Sequence, residues 1–296
     1  MYSAISRNKR NTVIIMLIFL LIIGGLGVLA AYIYQSAQVA YFVIGFATLY
    51  ALIQFFAASH LAMAVNGGRE IAKQEAPELY RIVENLAISV GLPTPRIFII
   101  DDPAPNAFAT GRNPQTAMVA VTTGLLDLMD KRELTAVLAH EMSHVQNYDI
   151  LVNMIVFGLV SAIGMICDLL IRITLFGDRG NSRNNNGGDA YMMIFGLIAM
   201  IISPIVAFAV QMAVSRQREY LADANGTLID RDPDAMISAL EKLRDGGEKP
   251  MKRHNSATAH MFFANPLKPG FFSRLFSTHP PLEDRIARIK KNANRM

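Results

Sequence analysis

The chain reads as a mostly α-helical membrane protein carrying a small α+β cytoplasmic domain, with four transmembrane helices, and three observations lead there. Of 296 residues, 52% are hydrophobic and 18% charged, where an ordinary soluble domain carries about 25% charged residues. The deficit is concentrated: 58 consecutive residues between Arg10 and Arg69 hold no Asp, Glu, Lys or Arg, and neither do the 26 from Ala190 to Ser215. The stretches outside these gaps carry ordinary helix, strand and turn signals, so part of the chain lies in water and part in lipid. Disorder is excluded, since disordered chains are poor in apolar residues.

Taken in order, the first span is Thr12 to Tyr34, preceded by Arg7, Lys9 and Arg10. Its apolar stretch is longer than the h-region of a signal peptide, so an uncleaved anchor is expected. The second, Ala37 to about Val65, follows after two residues and makes residues 1–66 a membrane hairpin. The third, Ile150 to Phe176, carries Asp168 and Arg172, one turn apart and readable as a mutual pair near the outer end. The fourth, Tyr191 to Val214, contains Pro204, which a membrane helix tolerates as a kink. Each has the roughly 20 apolar residues that a bilayer requires. The basic N-terminus orients the set with both ends and residues 67–149 in the cytoplasm. The Gly/Asn-rich loop 177–189, with two Arg and two Asp, becomes an external turn between the hairpin helices of 150–214.

The water-exposed parts are residues 67–149 and 215–296. In the first, Pro77 to Val90 has helical periodicity ended by Gly91 and Pro93. Arg96 to Ile100 reads as a β-branched strand, and Asn106 to Thr110 with Ala117 to Thr122 flank a Gly/Asn/Pro turn as a hairpin. A helix follows from about Lys131 to Asn147. The second part reads as helical with a long interruption between Gly246 and Pro281. The lone Cys167 excludes an internal disulfide and fits a reducing compartment. The net charge of +4 belongs to the basic flanks of the spans. No basic cluster is interleaved with aromatics for stacking, so nucleic acid is not an expected partner.

Chemistry concentrates in His140-Glu141-Met142-Ser143-His144. Residues four apart on a helix point the same way, so both imidazoles can reach one ion at about 2.0–2.1 Å. Glu141 stands between them, able to take a proton from a water that the metal activates. A random chain with six His and ten Glu would show this pattern about 0.004 times. Catalytic zinc sites keep three protein ligands and an open position, and by residue type the third is to be found among Glu219, Asp223, His254, His260 and His279. Glu219 and Asp223 are again four apart in Arg218-Glu219-Tyr220-Leu221-Ala222-Asp223, so one can bind metal while the other holds a histidine's second nitrogen.

The histidine motif, then Arg-Glu-x-x-Ala-Asp after a membrane hairpin, then Thr278-His279-Pro280-Pro281, together resemble the HtpX family of membrane zinc endopeptidases, relatives of the CAAX-prenyl protease. The likeness spans essentially the whole chain. It implies an HExxH, zincin-like metalloprotease domain holding one zinc ion per chain, with Glu219 as third ligand, Glu141 as general base and acid, and Asp223 orienting a ligand histidine. It implies that His279 lies near the substrate oxyanion and that Asn106, Ala107, Phe108 and Ala109 supply an edge strand for an extended peptide. A peptide bound as an added strand gains main-chain hydrogen bonds with little demand on its sequence. The implied role is quality control of misfolded or damaged membrane proteins under stress, in the bacterial plasma membrane, with polypeptides and the lipid bilayer as partners.

Two rival readings follow from the same residues. One is a prenyl-protein processing peptidase, against which four spans leave little material for a large intramembrane chamber. The other is a four-span transporter with zinc as cargo, which should tolerate Glu141→Gln. His60 reads as interfacial. Phe262, Phe263, Phe271, Phe272 and Phe276 suit either a membrane-dipping segment or core packing, and most methionines read as filling in the spans.

Overall fold

A computed structural model describes residues 2–33, 36–159, 216–246, 251–252, 258–264 and 280–293. The expected external loop, the whole fourth span, most of the third with Asp168 and Arg172, and His254, Phe271, Phe272, Phe276 and His279 lie outside the described residues.

The N-terminal hairpin consists of α1 (Tyr2–Ile33) and α2 (Ala37–Val65). Within α2, Ile44–Val65 is a 22-residue stretch long and apolar enough to cross a membrane. Leu21, Val28, Tyr32 and Tyr41 are 64–75% exposed, a surface that water does not favour and lipid does. The first helix starts at Tyr2, ahead of the apolar stretch, because its opening turns have something to pack against. Asn8, Thr12, Ile15 and Phe19 are buried at helical spacing along one stripe.

Beyond the hairpin come β1 (Gly68–Glu70), α3 (Pro77–Val90), β2 (Arg96–Ile100), β3 (Ala107–Thr110), β4 (Met118–Thr122), α4 (Thr123–Leu128) and α5 (Lys131–Gln146). A two-residue turn at Asn147 and Tyr148, the latter at φ 61°, leads into the apolar helix α6 (Asp149–Leu159). The described remainder adds α7 (Arg216–Asp230), α8 (Pro233–Asp245) and α9 (Leu282–Ala293). The expected helix, strand and hairpin appear within a residue or so of their expected bounds. Gly91 ends α3 in the left-handed conformation. The sequence showed no sign of β1, a three-residue strand.

The sheet runs β1-β2-β4-β3, with β2 and β4 parallel and both outer pairs antiparallel. Side chains of a strand alternate between faces, and here both faces are covered. Ile97, Val119, Val121, Ala107 and Ala109 join a core with α3, α5 and α8. Phe98, Ile100, Phe108, Met118 and Ala120 join another with Ala62 and Met63 of α2 and Met154 of α6. The sheet is the floor between the helices that carry the polar chemistry and the ends of the apolar helices. Burial on both faces is why β4 reads as an unbroken apolar run.

Candidate metal centre

The helix that bears the histidines is started firmly. Asp130 accepts a hydrogen bond from the Glu133 amide and Glu133 accepts one from the Asp130 amide, a reciprocal cap at 2.9 Å in both directions. Burial alone would raise the Glu133 carboxyl, but hydrogen bonds from Lys242, Ser238 and the Asp130 amide outweigh it and hold it below the usual range. From that anchor α5 delivers His140, Glu141 and His144 into the interior, 0%, 1% and 9% exposed.

The neighbouring helix α7 presents Glu219, Asp223 and Gly226, spaced i, i+4 and i+7, toward α5. Gly226 sets the distance between the two. A Cβ there would stand 3.0 Å from the His140 amide nitrogen and 3.1 Å from its Cα, so any larger residue would push the two backbones apart. Three ligand atoms then converge. The Nε2 atoms of His140 and His144 are 3.1 Å apart, and each lies 3.6 Å from a Glu219 carboxylate oxygen. All three residues are buried, with ligand atoms within 4.8 Å of one another. Ligands at about 2.05 Å in a tetrahedron are separated by about 3.3 Å. The donor chemistry and the triangle both fit a single zinc ion, which His140, His144 and Glu219 would hold.

Outer hydrogen bonds decide which imidazole nitrogens face the centre. His140 Nδ1 lies 2.9 Å from Asp223 Oδ1 and His144 Nδ1 lies 3.0 Å from Asp149 Oδ2, so each Nδ1–H is donated outward and each Nε2 is turned inward. Arg285 of α9, fully buried, donates to both Asp223 oxygens at 2.9 and 2.6 Å and to the Phe263 carbonyl at 3.1 Å. Its guanidinium lies over the Phe263 ring at 4.5 Å, and the same ring meets His140 edge-on at 4.8 Å. Burial alone would raise the Asp223 carboxyl; Arg285 and His140 outweigh it and hold it below the usual range. Burial is the largest influence on Glu141 and holds its carboxyl above the usual range, against the pull of His144, His140 and the Ala109 N–H. For His144 burial works against the charge, yet the Asp149 hydrogen bond and the charges of Glu219, Asp149 and Glu141 win, and its pKa is pushed up to about 9.

Of the other candidates for a ligand, His260 Nε2 lies 3.1 Å from the Asn153 carbonyl oxygen, outside the triangle. His60 lies 3.1 Å from Arg96. The strand expected to receive a peptide is the outer strand of the sheet, but part of its edge has another occupant. Phe262 pairs with Phe108, the Phe263 amide donates to the Ala107 carbonyl at 2.8 Å, and the Asn106 side chain bonds both the amide and the carbonyl of Ala264. Asn106 can do this because its amide group reproduces the donor and acceptor of a backbone peptide. Phe262 and Phe263, each 1% exposed, are core residues. That resolves the sequence ambiguity for these two in favour of packing.

Asp149, Arg285 and Gly226 were not picked out from the sequence. Asp149 had a weak signal, a carboxylate five residues past His144. Arg285 and Gly226 had none: one looks like a surface charge on a polar helix, the other like a turn residue after Asn225.

Two histidines one helical turn apart, a glutamate between them held above its usual pKa, and a carboxylate from a second helix define a metal-dependent peptidase. Comparison with known proteins makes the class specific, since residues 73–293 match Peptidase family M48. The chain belongs to that family and is a metalloprotease. It is 48% identical over 294 residues to the Protease HtpX homolog of Tropheryma whipplei (strain Twist), covering 99% of each chain. It is 43% identical over 301 residues to the Protease HtpX homolog of Streptococcus pneumoniae (strain Hungary19A-6), covering 98% of this chain and 99% of that one. Among solved structures, the crystal structure of S. mikatae Ste24p superposes with a TM-score of 0.53 at 20% identity over 93% of this chain. This chain spans 62% of the length of that one, and the likeness is one of fold.

Proposed function

We propose that the protein is a zinc-dependent endopeptidase of the bacterial plasma membrane that cleaves misfolded or damaged membrane proteins at the cytoplasmic surface. The observation that carries this is the buried triangle of His140, His144 and Glu219, with Glu141 beside it. These three residues would hold one zinc ion per chain. Bound there, zinc supplies Lewis acidity, bringing the pKa of a water toward about 7 and polarising the scissile carbonyl.

Everything else falls to the chain's own groups. Glu141, held above the ordinary carboxylate range by burial, takes a proton from the attacking water and returns it to the departing amine, which needs a pKa near working pH. Asp223 and Asp149 keep the two imidazoles in the tautomer that turns Nε2 inward. His279, in the segment leading to α9, is assigned to the carbonyl oxygen, where a donor is worth roughly 3–4 kcal/mol. The extended peptide lies along the part of the β3 edge that residues 262–264 leave uncovered, from Ala109 onward beside Glu141, while Asn106, Ala107 and Phe108 hold that segment in place.

Placement at the inner membrane surface is supported by the chain around the site. Glu219 follows the apolar stretch ending at Val214 by five residues, and His144 precedes the one beginning at Ile150 by six. Four spans with both termini inside satisfy the positive-inside rule and suit membrane proteins as clients.

The test is wild type beside Glu141→Gln, both as full-length chains in detergent. Both are expected to hold one zinc by metal analysis, and only the wild type to cleave an unfolded protein. Cleavage by Glu141→Gln would remove Glu141 from its role; zinc retained by Glu219→Ala would remove Glu219 from the ligand set.

A further inference from the structure

We propose that Asn8 is a positioning residue for the metal ligand His144, so that the first helix of the membrane hairpin forms part of the metal centre. The inference rests on the reading of His144 as a ligand. Asn8 lies in the opening turns of α1, 139 and 141 residues from its partners in sequence, and is 2% exposed. An asparagine so placed in a helix headed for lipid is unfavourable unless its amide is used, and here both amide hydrogens are. Asn8 Nδ2 donates to Asp149 Oδ1 at 2.6 Å and to the Asn147 carbonyl at 2.9 Å.

The chemistry allows only one orientation of that amide. Both partners are acceptors, so a flipped side chain would set an oxygen against a carboxylate and a carbonyl. Asn8 Oδ1 accordingly has no hydrogen-bond partner, an arrangement retained only because the other end is fully engaged. The other Asp149 oxygen holds His144 Nδ1 at 3.0 Å. Asn8, Asp149 and His144 therefore form one continuous line from the first helix to the metal-facing nitrogen. Arg218 also approaches the same Asp149 oxygen, at 3.9 Å, a longer contact that leaves the short one to Asn8.

The neighbours on α1 reinforce the contact. Lys9 lies over the Tyr148 ring at 4.6 Å, and Thr12 donates to the Asn8 carbonyl at 3.0 Å. Tyr148 occupies the left-handed region at φ 61°, where a bulky residue is uncommon and must be held by its surroundings. The turn that aims Asp149 at His144 is thus gripped from outside by α1, through Asn8 on the backbone and Lys9 on the ring. Outer partners of metal-ligating histidines typically change metal affinity 10–100-fold when removed, and the residue that aims such a partner acts on the same quantity.

The test uses the full-length chain in detergent. The zinc dissociation constant is read by competition with a chromophoric chelator, and ligand geometry by the visible absorption of the Co²⁺-substituted protein. Asn8→Leu keeps the shape and removes both donors. It is expected to weaken zinc binding about tenfold and to shift the Co²⁺ bands. Against an Asp149→Ala background, where nothing is left to aim, the same substitution is expected to change the constant less than twofold, the signature of two residues acting in series. An equal loss in both backgrounds, or a constant within twofold of wild type in Asn8→Leu, would overturn the proposal. So would a metal-free melting temperature that falls while the zinc constant stays put, which would leave Asn8 a packing residue. If Asn8→Leu does not accumulate, Asn8→Ser, with one short donor, takes its place and is expected to lie between the two; an unchanged constant refutes equally. Failure of the wild type to take up zinc, or zinc retained by His144→Ala, would strike instead at the reading of the site itself.

Discussion

The contact at Gly226 makes a prediction whose sign and size can be worked out. In Gly226→Ala the new methyl would lie 3.0 Å from the His140 nitrogen, 3.1 Å from its Cα and 3.4 Å from the Ala139 carbonyl carbon. All three are backbone atoms, so no side chain can swing aside. Comfortable separation between such atoms is about 3.5–4.0 Å, so α5 and α7 must part by a few tenths of an ångström. Alanine in a helix gains about 0.8–1 kcal/mol over glycine, while overpacking of this kind costs about 1–3 kcal/mol. The net effect on folding is therefore a loss of about 2 kcal/mol or less. The effect on metal binding is larger, because Glu219 rides on the displaced helix. Its oxygens already stand 3.6 Å from each Nε2, and a further few tenths of an ångström exceeds the roughly 0.2 Å tolerance of zinc–ligand distances. We expect zinc affinity to fall at least tenfold with a change of only a few degrees in the metal-free melting temperature, read by chelator competition and thermal unfolding in EDTA. A variant that melts higher than wild type and binds zinc equally well would refute the close-contact argument.

Two further outcomes follow from the groups around the histidines. Removing the guanidinium in Arg285→Ala leaves the Asp223 carboxylate buried without its cation, and breaking a buried pair from one side costs about 3–5 kcal/mol; a urea midpoint indistinguishable from wild type would contradict the assigned geometry. With its pKa raised to about 9, His144 of the metal-free protein carries a proton at neutral pH. That proton stabilises the metal-free fold fully below about pH 6.5, the unperturbed value, and the contribution fades as pH rises toward 9. Zinc must displace the proton, so binding near pH 7.5 is expected to release about one proton from this residue. Calorimetry in two buffers of different ionisation enthalpy measures the release, and equal apparent enthalpies in both would show that His144 is already neutral.

Much of the local structure was legible because local physics decides it. Gly91 and Pro93 stop α3, and the Gly/Asn/Pro turn sets the β3–β4 hairpin. Both histidines and Glu141 were legible for the same reason, since a spacing of four on a helix is a statement about one helix. Glu219 and Asp223 were narrowed to a short set by residue type, and family resemblance chose between them. The occupant of the β3 edge was invisible, because residues 262–264 lie 155–157 positions from Ala107 and nothing local in Phe262-Phe263-Ala264 marks a strand.

Left to itself, the sequence settled what repeats at short range: where apolar runs are long enough for lipid, where helices begin and end, and which turn of which helix holds paired imidazoles. The fold alone decided which distant groups complete that turn. Gly226 permits α7 to bring Glu219 within reach, Arg285 arrives from α9 to neutralise the Asp223 carboxylate, and Asn8 arrives from α1 to hold Asp149. The physical reason is that periodicity encodes the direction a side chain takes from its own helix, whereas a metal centre depends on the separation between helices. That separation is a property of packed surfaces, set by a missing methyl here and a buried charge there.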